Sequence, residues 1–191
     1  MKILSIRAGI DGCPSISPGA DSAILRVGEP VFIQQPAQEW DTCVTVAVRV
    51  SRLGLHIPVA HASRHYDAVA AIHMLAPVRQ SPDCLPPLFR DRAVAPGEWV
   101  PVEQTGNEFT LNVTRRPLRG DESVSLDGEI AVSLDRLRID EIVSYLSQTM
   151  TLKNGDMIIL RDASVELGAP VPNTVVSAYV SGFSSLSVRI K

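Results

Sequence analysis

The stretch Thr42–Val50 (TCVTVAVRV) constrains the fold more than any other part of the chain. β-Branched side chains are stiff at χ1 and fit a pleated surface better than a helix. Val44, Val46, Val48 and Val50 share one face of an extended chain, and Thr45, Ala47 and Arg49 take the other. The same signal recurs in shorter form at Met1–Ala8, Ala23–Val27, Pro30–Gln34, Phe109–Thr114, Asp156–Leu160, Val175–Val180 and Leu186–Ile190. Gly28 and Glu29 separate the second and third of these as a turn. Short strands punctuated by Gly, Pro, Asn and Asp predict a mainly β, α+β architecture, a β-sandwich or β-roll.

Two helices join the strands. One starts near Ile139, with Asp140 as its cap, and places Ile142, Val143, Leu146 and Met150 on one stripe. Asn154-Gly155 is expected to stop it, since these residues tolerate φ > 0. A weaker helix is expected at Ala62–Ala70, and Ala70–Val78 reads as helix or strand. Six of the fourteen prolines fall within Pro77–Pro101, which predicts a long irregular segment suited to partner contacts. No repeat, low-complexity tract or domain boundary interrupts the chain.

With 191 residues the expectation is one domain over 1–191, made of N-terminal strands in 1–40 and a core in 41–191. Net charge is −3 and no basic block stands out, which argues against nucleic acid as a partner. Three cysteines, Cys13, Cys43 and Cys84, match no zinc or redox spacing. No apolar run reaches the ~20 residues that span a bilayer. A cytoplasmic protein with free thiols and no membrane partner is expected.

The sequence carries no glycine-rich phosphate loop and no nucleophile elbow. All four histidines lie within His56–His73. His61 and His65 would share a helical face but lack a third ligand. His73 ends an apolar run, as a core or pocket-wall histidine or as a catalytic group. Asp121-Glu122, Asp127 with Glu129, and Asp140-Glu141 sit beside glycine or at a helix start, where turns and caps explain them. Asp162 and Glu166 draw attention by their position after a strand.

One block is more specific. Ile139–Leu160 (IDEIVSYLSQTMTLKNGDMIIL) resembles the fumarylacetoacetate hydrolase family, in which a helix ending in Leu-Ser leads to Met-Thr-Leu, a Gly-Asp turn and a strand. Collinear with it, Glu29–Pro36 (EPVFIQQP) resembles an early Pro-to-Pro strand, and Cys43–Ser51 (CVTVAVRVS) a glutamate-bearing strand. Ile57-Pro58 resembles the lead into the following helix, and Asp91–Val100 (DRAVAPGEWV) a substrate-side loop. Ala178–Ile190 (AYVSGFSSLSVRI) resembles the closing hairpin. The resemblance implies a mixed β-sandwich roll with a fumarylacetoacetate hydrolase-like core in 41–191, usually dimeric. It implies Mg²⁺ or Mn²⁺ chemistry on a 2-oxo acid or β-diketone.

The residues that would carry that chemistry depart from the pattern. The resemblance places the family's two metal glutamates at Cys43 and Thr45, and its metal aspartate at Met74, or at His73 with a slip of one. The family lysine falls near Leu88. Arg161-Asp162-Ala163-Ser164 replaces a Thr-Gly-Thr-Pro loop, and the N-terminal His–Glu lid has no counterpart. Neutral ligands do not offset the desolvation of a hard divalent cation. The expectation is therefore no metal and no cofactor. It is a divergent scaffold or binding subunit, as a homodimer or beside an active homologue. The alternative is a hydrolase, isomerase or decarboxylase with a rebuilt pocket. In that case His73 and Asp162 are the catalytic candidates. Arg161, Cys43 and Thr45 would contact substrate, with Arg161 clamping a small carboxylic acid.

Overall fold

The computed structural model describes residues 1–7, 14–33, 40–78, 87–118 and 125–191. In chain order the strands are β1 (Ile3–Arg7), β2 (Ser15–Gly19), β3 (Trp40–Val50), β4 (Tyr66–Pro77), β5 (Val94–Pro96) and β6 (Val100–Pro101). They continue as β7 (Glu108–Pro117), β8 (Ser125–Ser133), β9 (Met157–Gly168), β10 (Thr174–Val180) and β11 (Phe183–Ile190). The helices are α1 (Val59–Ala62), α2 (Val102–Thr105) and α3 (Ile139–Thr149). The larger sheet runs β2-β1-β9-β3-β4-β5, with β6 also on β4, and the smaller sheet runs β11-β10-β7-β8.

Central position explains why β3 reads so clearly. It pairs antiparallel with β4 on one side and β9 on the other. Its valines at 44, 46, 48 and 50 enter the core between the sheets, against Leu111 and Val113 of β7 and Val176 and Ala178 of β10. Its other face buries Cys43 and Ala47 with Ile3, Ile72, Met74 and Ile159 of neighbouring strands, under Ala23 and Leu88. A strand covered on both faces gives a near-continuous apolar run. The two sheets close on each other where β8 crosses β9. A Cβ on Gly128 would lie 2.6 Å from Val165 Cγ1, so a side chain there would force the strands apart.

The block with the family resemblance is built as a knot. Asp156 is fully buried, and its carboxylate accepts the Lys2 backbone N–H at 2.7 Å and the Lys153 N–H at 2.8 Å. The Lys2 ammonium adds an ion pair at 3.1 Å. Gly155, at φ +86°, supplies the left-handed backbone that this turn needs. One side chain thus ties β1 to the start of β9, its parallel neighbour.

Several sequence expectations are corrected. The Ala62–Ala70 helix is a strand from Tyr66 onward, preceded by α1 and a tight turn at Ser63–His65. Alanine is permissive, and Ala68–Ile72 is buried on both faces, so no period marked it. His61 and His65 therefore do not share a regular helical face. Ala70–Val78 resolves as strand through Pro77. Ala23–Val27 and Pro30–Ile33 are not ladder strands: Ile24 makes one bridge to Val94, and Val31 one to Ile190. Gln34, in the same expected strand, lies outside the described residues, as do Cys13, Cys84 and Asp121-Glu122. Asp140 does not cap α3. Arg138 does, in left-handed backbone at φ 56°, and Asp140 stands in the first turn. α3 ends at Thr149, where Met150 turns extended, ahead of Asn154-Gly155. In Pro77–Pro101, the described part is less irregular than expected, since β5 and β6 both pair with β4.

Candidate functional site

Alternation along β3 puts Cys43 and Thr45 on the outer face of the larger sheet, away from the smaller sheet. Cys43 is directly opposite Met74 in the β3–β4 register, and Thr45 opposite Ile72. The pairing also puts Met74 and His73 on opposite faces. Met74 shares the face of Cys43, whereas His73 is opposite Val44 and points into the inter-sheet core. All three outer-face residues are buried, at 3% exposure for Cys43, 0% for Thr45 and 1% for Met74.

β9 forms the adjoining wall, and its register explains Arg161. Thr45 pairs with Ser164 while the next residue, Val46, pairs with Leu160, so Arg161-Asp162-Ala163 bulge out of the ladder. The segment expected to replace a loop is therefore a bulged strand. The Thr45 hydroxyl is directed at the Leu160 carbonyl at 2.6 Å and the Ala163 carbonyl at 3.0 Å, spanning the bulge. Arg161 leaves the bulge on the outer face, its Nη1 lying 3.9 Å from Met74 Sδ. Its Nε is buried without a hydrogen-bond partner among the described residues. Glu166, in register with Cys43, instead accepts the Ser164 hydroxyl at 2.9 Å.

The electrostatics follow from burial. The Cys43 thiol is pushed up to about 11, chiefly by desolvation, with Arg161 and Arg7 pulling it down and Glu166 and Asp41 pushing it up. It is a neutral thiol at physiological pH. His73 is 1% exposed, has no partner on either ring nitrogen among the described residues, and is lowered to about 4 by burial. Asp162 is exposed and stands between two grooves of about 700 and 690 Å³ that share it and Leu137. One runs along α3, with Ile142 and Tyr145. The other follows β7 and β8, with Phe109 and Ser133. Neither groove is lined by Cys43, Thr45, Met74 or Arg161. The structure thus brings Cys43, Thr45 and Arg161 together and sets His73 and Asp162 apart from them.

This donor set does not fit a hard divalent cation. A protonated thiol, a thioether and a hydroxyl committed to two carbonyls replace the carboxylates that such an ion needs. Among the described residues no group of three or more His, Cys, Asp and Glu is arranged to hold a metal. Leu88, near the expected lysine position, is buried against this same face. Sequence reasoning missed the bulge, Arg7 and the two grooves. Arg7 alone left a signal, by falling on the same alternation as Ile3.

The architecture defines a two-sheet roll of the fumarylacetoacetate hydrolase type. Solved structures with this fold include a fumarylpyruvate hydrolase from Pseudomonas aeruginosa in complex with Mn²⁺ and pyruvate. It is 17% identical, with TM-score 0.69 over 100% of this chain and 89% of that one. A 5-carboxymethyl-2-hydroxymuconate delta-isomerase from Mycobacterium smegmatis is 17% identical, with TM-score 0.76 over 99% and 78%. A 2-hydroxyhepta-2,4-diene-1,7-dioate isomerase from Mycobacterium marinum is 16% identical, with TM-score 0.75 over 99% and 73%. No family model and no curated protein matches the sequence. No helix among the described residues is long and apolar enough to cross a membrane.

Proposed function

We propose that this chain is a divergent, metal-free relative of the fumarylacetoacetate hydrolases that acts as a binding or scaffold subunit, as a homodimer or beside a catalytically competent homologue. One observation carries the reading. The three positions where the resemblance puts metal carboxylates, Cys43, Thr45 and Met74, share one buried face, and their side chains are neutral. Thr45 is moreover occupied in holding the β9 bulge. The known C–C bond and double-bond chemistry of such folds needs a cation to hold the acidic substrate, and these three positions supply no carboxylate for one.

Calorimetry with Mn²⁺ and Mg²⁺ at millimolar concentration is expected to give no saturable heat. Micromolar binding lost on Cys43→Ala or Thr45→Ala would overturn the reading. Light scattering over a wide concentration range tests assembly, where a uniform monomer, alone and with a fold relative, counts against the subunit role.

A second reading, an enzyme acting on a 2-oxo acid or β-diketone through a rebuilt pocket, draws on Arg161, whose guanidinium is the cation of this face nearest the former ligand positions. Its catalytic candidate His73 faces the other side of the sheet.

A further inference from the structure

Among the described residues the two sheets have four edges, and three are guarded. β11 is covered by Val31 and Ile33, whose N–H groups donate to the Arg189 and Lys191 carbonyls at 2.8 and 2.9 Å. β2 carries Pro18, while β5 and β6, which share the far edge of the larger sheet, are three and two residues long and end in proline. β8 has none of these devices. It runs nine residues without proline or lysine, and β7 is its only ladder partner among the described residues.

Two hydrogen bonds fix which groups of β8 face outward. The Leu134 N–H donates to the Asn107 carbonyl at 2.8 Å, in line with the β7–β8 register, so 107 and 134 form a hydrogen-bonded rung. Alternation makes 109 with 132 and 111 with 130 the next such rungs. The Ser181 N–H donates to the Thr110 carbonyl at 3.0 Å, so Thr110 faces β10, as the same alternation requires. Glu129 and Ala131 therefore turn their N–H and C=O groups away from β7. Beside them runs the groove of about 690 Å³, lined by four consecutive β8 residues, 130–133, and by the β9 bulge at 162–164. A trough along a strand edge shows consecutive residues, whereas one face shows every second residue. Its two sides differ. Ile130, Val132 and Phe109 lie on the inner, apolar side. Glu129 and Glu108 lie on the outer side, exposed and without an ion pair among the described residues. Among the described residues lining this groove, Arg136 is the single base, against Glu108 and Asp162.

We propose that β8 takes on a further strand, an extended segment of a partner protein, antiparallel to β8, with apolar side chains inward and Lys or Arg outward. The inference rests on the binding-subunit reading and gives it a surface. Every pairing in the smaller sheet is antiparallel, and an added strand continues that ladder. Backbone bonds supply affinity, and alternate side chains supply specificity. Inward side chains enter the apolar side of the groove. Outward ones pass Glu129 at one strand spacing of ~4.8 Å, where opposite charge is favoured. Residues that exchange hydrogen bonds across an antiparallel pair share a face, so the basic residues of the segment bond to Glu129 and Ala131.

The test is fluorescence anisotropy of the full chain with a labelled hexapeptide of alternating valine and lysine. Saturable binding is expected, about tenfold or more tighter than a valine–glutamate hexapeptide. N-Methylation of the lysine nitrogens should abolish it, and N-methylation of the valine nitrogens should not. Hydrogen exchange at Glu129 and Ala131 should be fast in the free chain and slowed by the peptide, with Ile130 and Val132 slow in both. Ala131→Pro removes an outward N–H at an edge that tolerates proline, and should weaken binding about tenfold at an unchanged melting temperature. Glu129→Lys, a surface change, should reverse the preference toward the valine–glutamate peptide. Absence of valine–lysine binding overturns the site, and so do equal effects of the two N-methylations. Protection of Glu129 and Ala131 that grows with protein concentration, without peptide, identifies a second copy as the occupant and also overturns it. Failure of the peptide with silent Mn²⁺ calorimetry removes the edge site and leaves the metal-free reading. Mn²⁺ binding lost on Cys43→Ala removes that reading whatever the peptide does.

Discussion

His73 offers a quantitative test of how the roll is packed. It is fully enclosed between the sheets, and both ring nitrogens lack partners among the described residues. Burial lowers its pKa from the ordinary 6.5 to about 4. In the unfolded chain the ring takes up a proton as the pH falls through 6.5, whereas in the folded chain it resists until about 4. Between these values the unfolded state binds more protons, so stability falls with falling pH. Each pKa unit corresponds to about 1.4 kcal/mol. The full loss is therefore about 3 kcal/mol once the pH is below 4, with none of it present above 7. Replacing the ring by a similar apolar volume, His73→Leu, removes this dependence. At pH 7.5 it should also cost little or stabilise, because buried unpaired nitrogens each carry a desolvation penalty of about 1–3 kcal/mol. Urea unfolding of both proteins from pH 7.5 to 4.5 reads the effect. Carboxylates contribute to acid sensitivity in both, so the observable is the difference between the curves. That difference should open from about zero slope above pH 7 to about 2–3 kcal/mol near pH 4.5. Parallel curves, or a His73 resonance that titrates near 6.5 in the native protein, would refute the reasoning.

Three further outcomes follow from the same contacts. Asp156→Ala should destabilise by about 2–4 kcal/mol in urea, since it removes the acceptor of the part-buried N–H groups of Lys2 and Lys153. An effect under ~1 kcal/mol would show that the knot is dispensable. Thr45→Val should cost about 1–2 kcal/mol by leaving the Leu160 and Ala163 carbonyls without their donor, and faster amide exchange should be confined to the β9 bulge. Exchange unchanged there would mean that the hydroxyl does not hold the bulge. The Cys43 thiol, held near 11 and 3% exposed, should resist iodoacetamide at pH 8 in the native state and react on unfolding. Peptide mass spectrometry reads this site by itself, and rapid native labelling of Cys43 would contradict its burial.

Strands were legible where burial is one-sided or the residues are β-branched, and obscure elsewhere. Thr42–Val50 announces β3, which runs Trp40–Val50. Asp156–Leu160 announces only the first half of β9, because Arg161, Asp162 and Ala163 break the alternation by bulging, and the strand resumes to Gly168. β4 was half lost to a helix, as Ala68, Ala70 and Ala71 carry no period. The α3 stripe was read correctly at Val143 and Leu146, but no pattern reveals a left-handed Arg138 at its start. At the site, parity alone placed Cys43 and Thr45 on one face. Whether Met74 or His73 joined them depended on the β3–β4 register, a long-range property that local sequence does not encode.

The side chains on the outer face are physically consistent with one another. Glutamates at 43 and 45, with an aspartate at 74, would be three buried carboxylates within one strand pair. A divalent cation makes such a set tolerable; without one, like charges and desolvation both oppose it. Loss of the ion therefore favours loss of all three acids together, and Cys43, Thr45 and Met74 are all neutral. The converse also holds. Arg161, laid against Met74, would repel a cation bound on this face, yet it sits comfortably beside a thiol and a thioether. The Thr45 hydroxyl spans the bulge from which Arg161 projects, so it helps to set where that guanidinium lies. Meanwhile Asp156, buried just before β9, has structural work: it accepts backbone N–H groups. Asp156 before β9 and Thr45 on β3 thus do the same kind of work, each using a side chain to hold backbone groups of or beside β9.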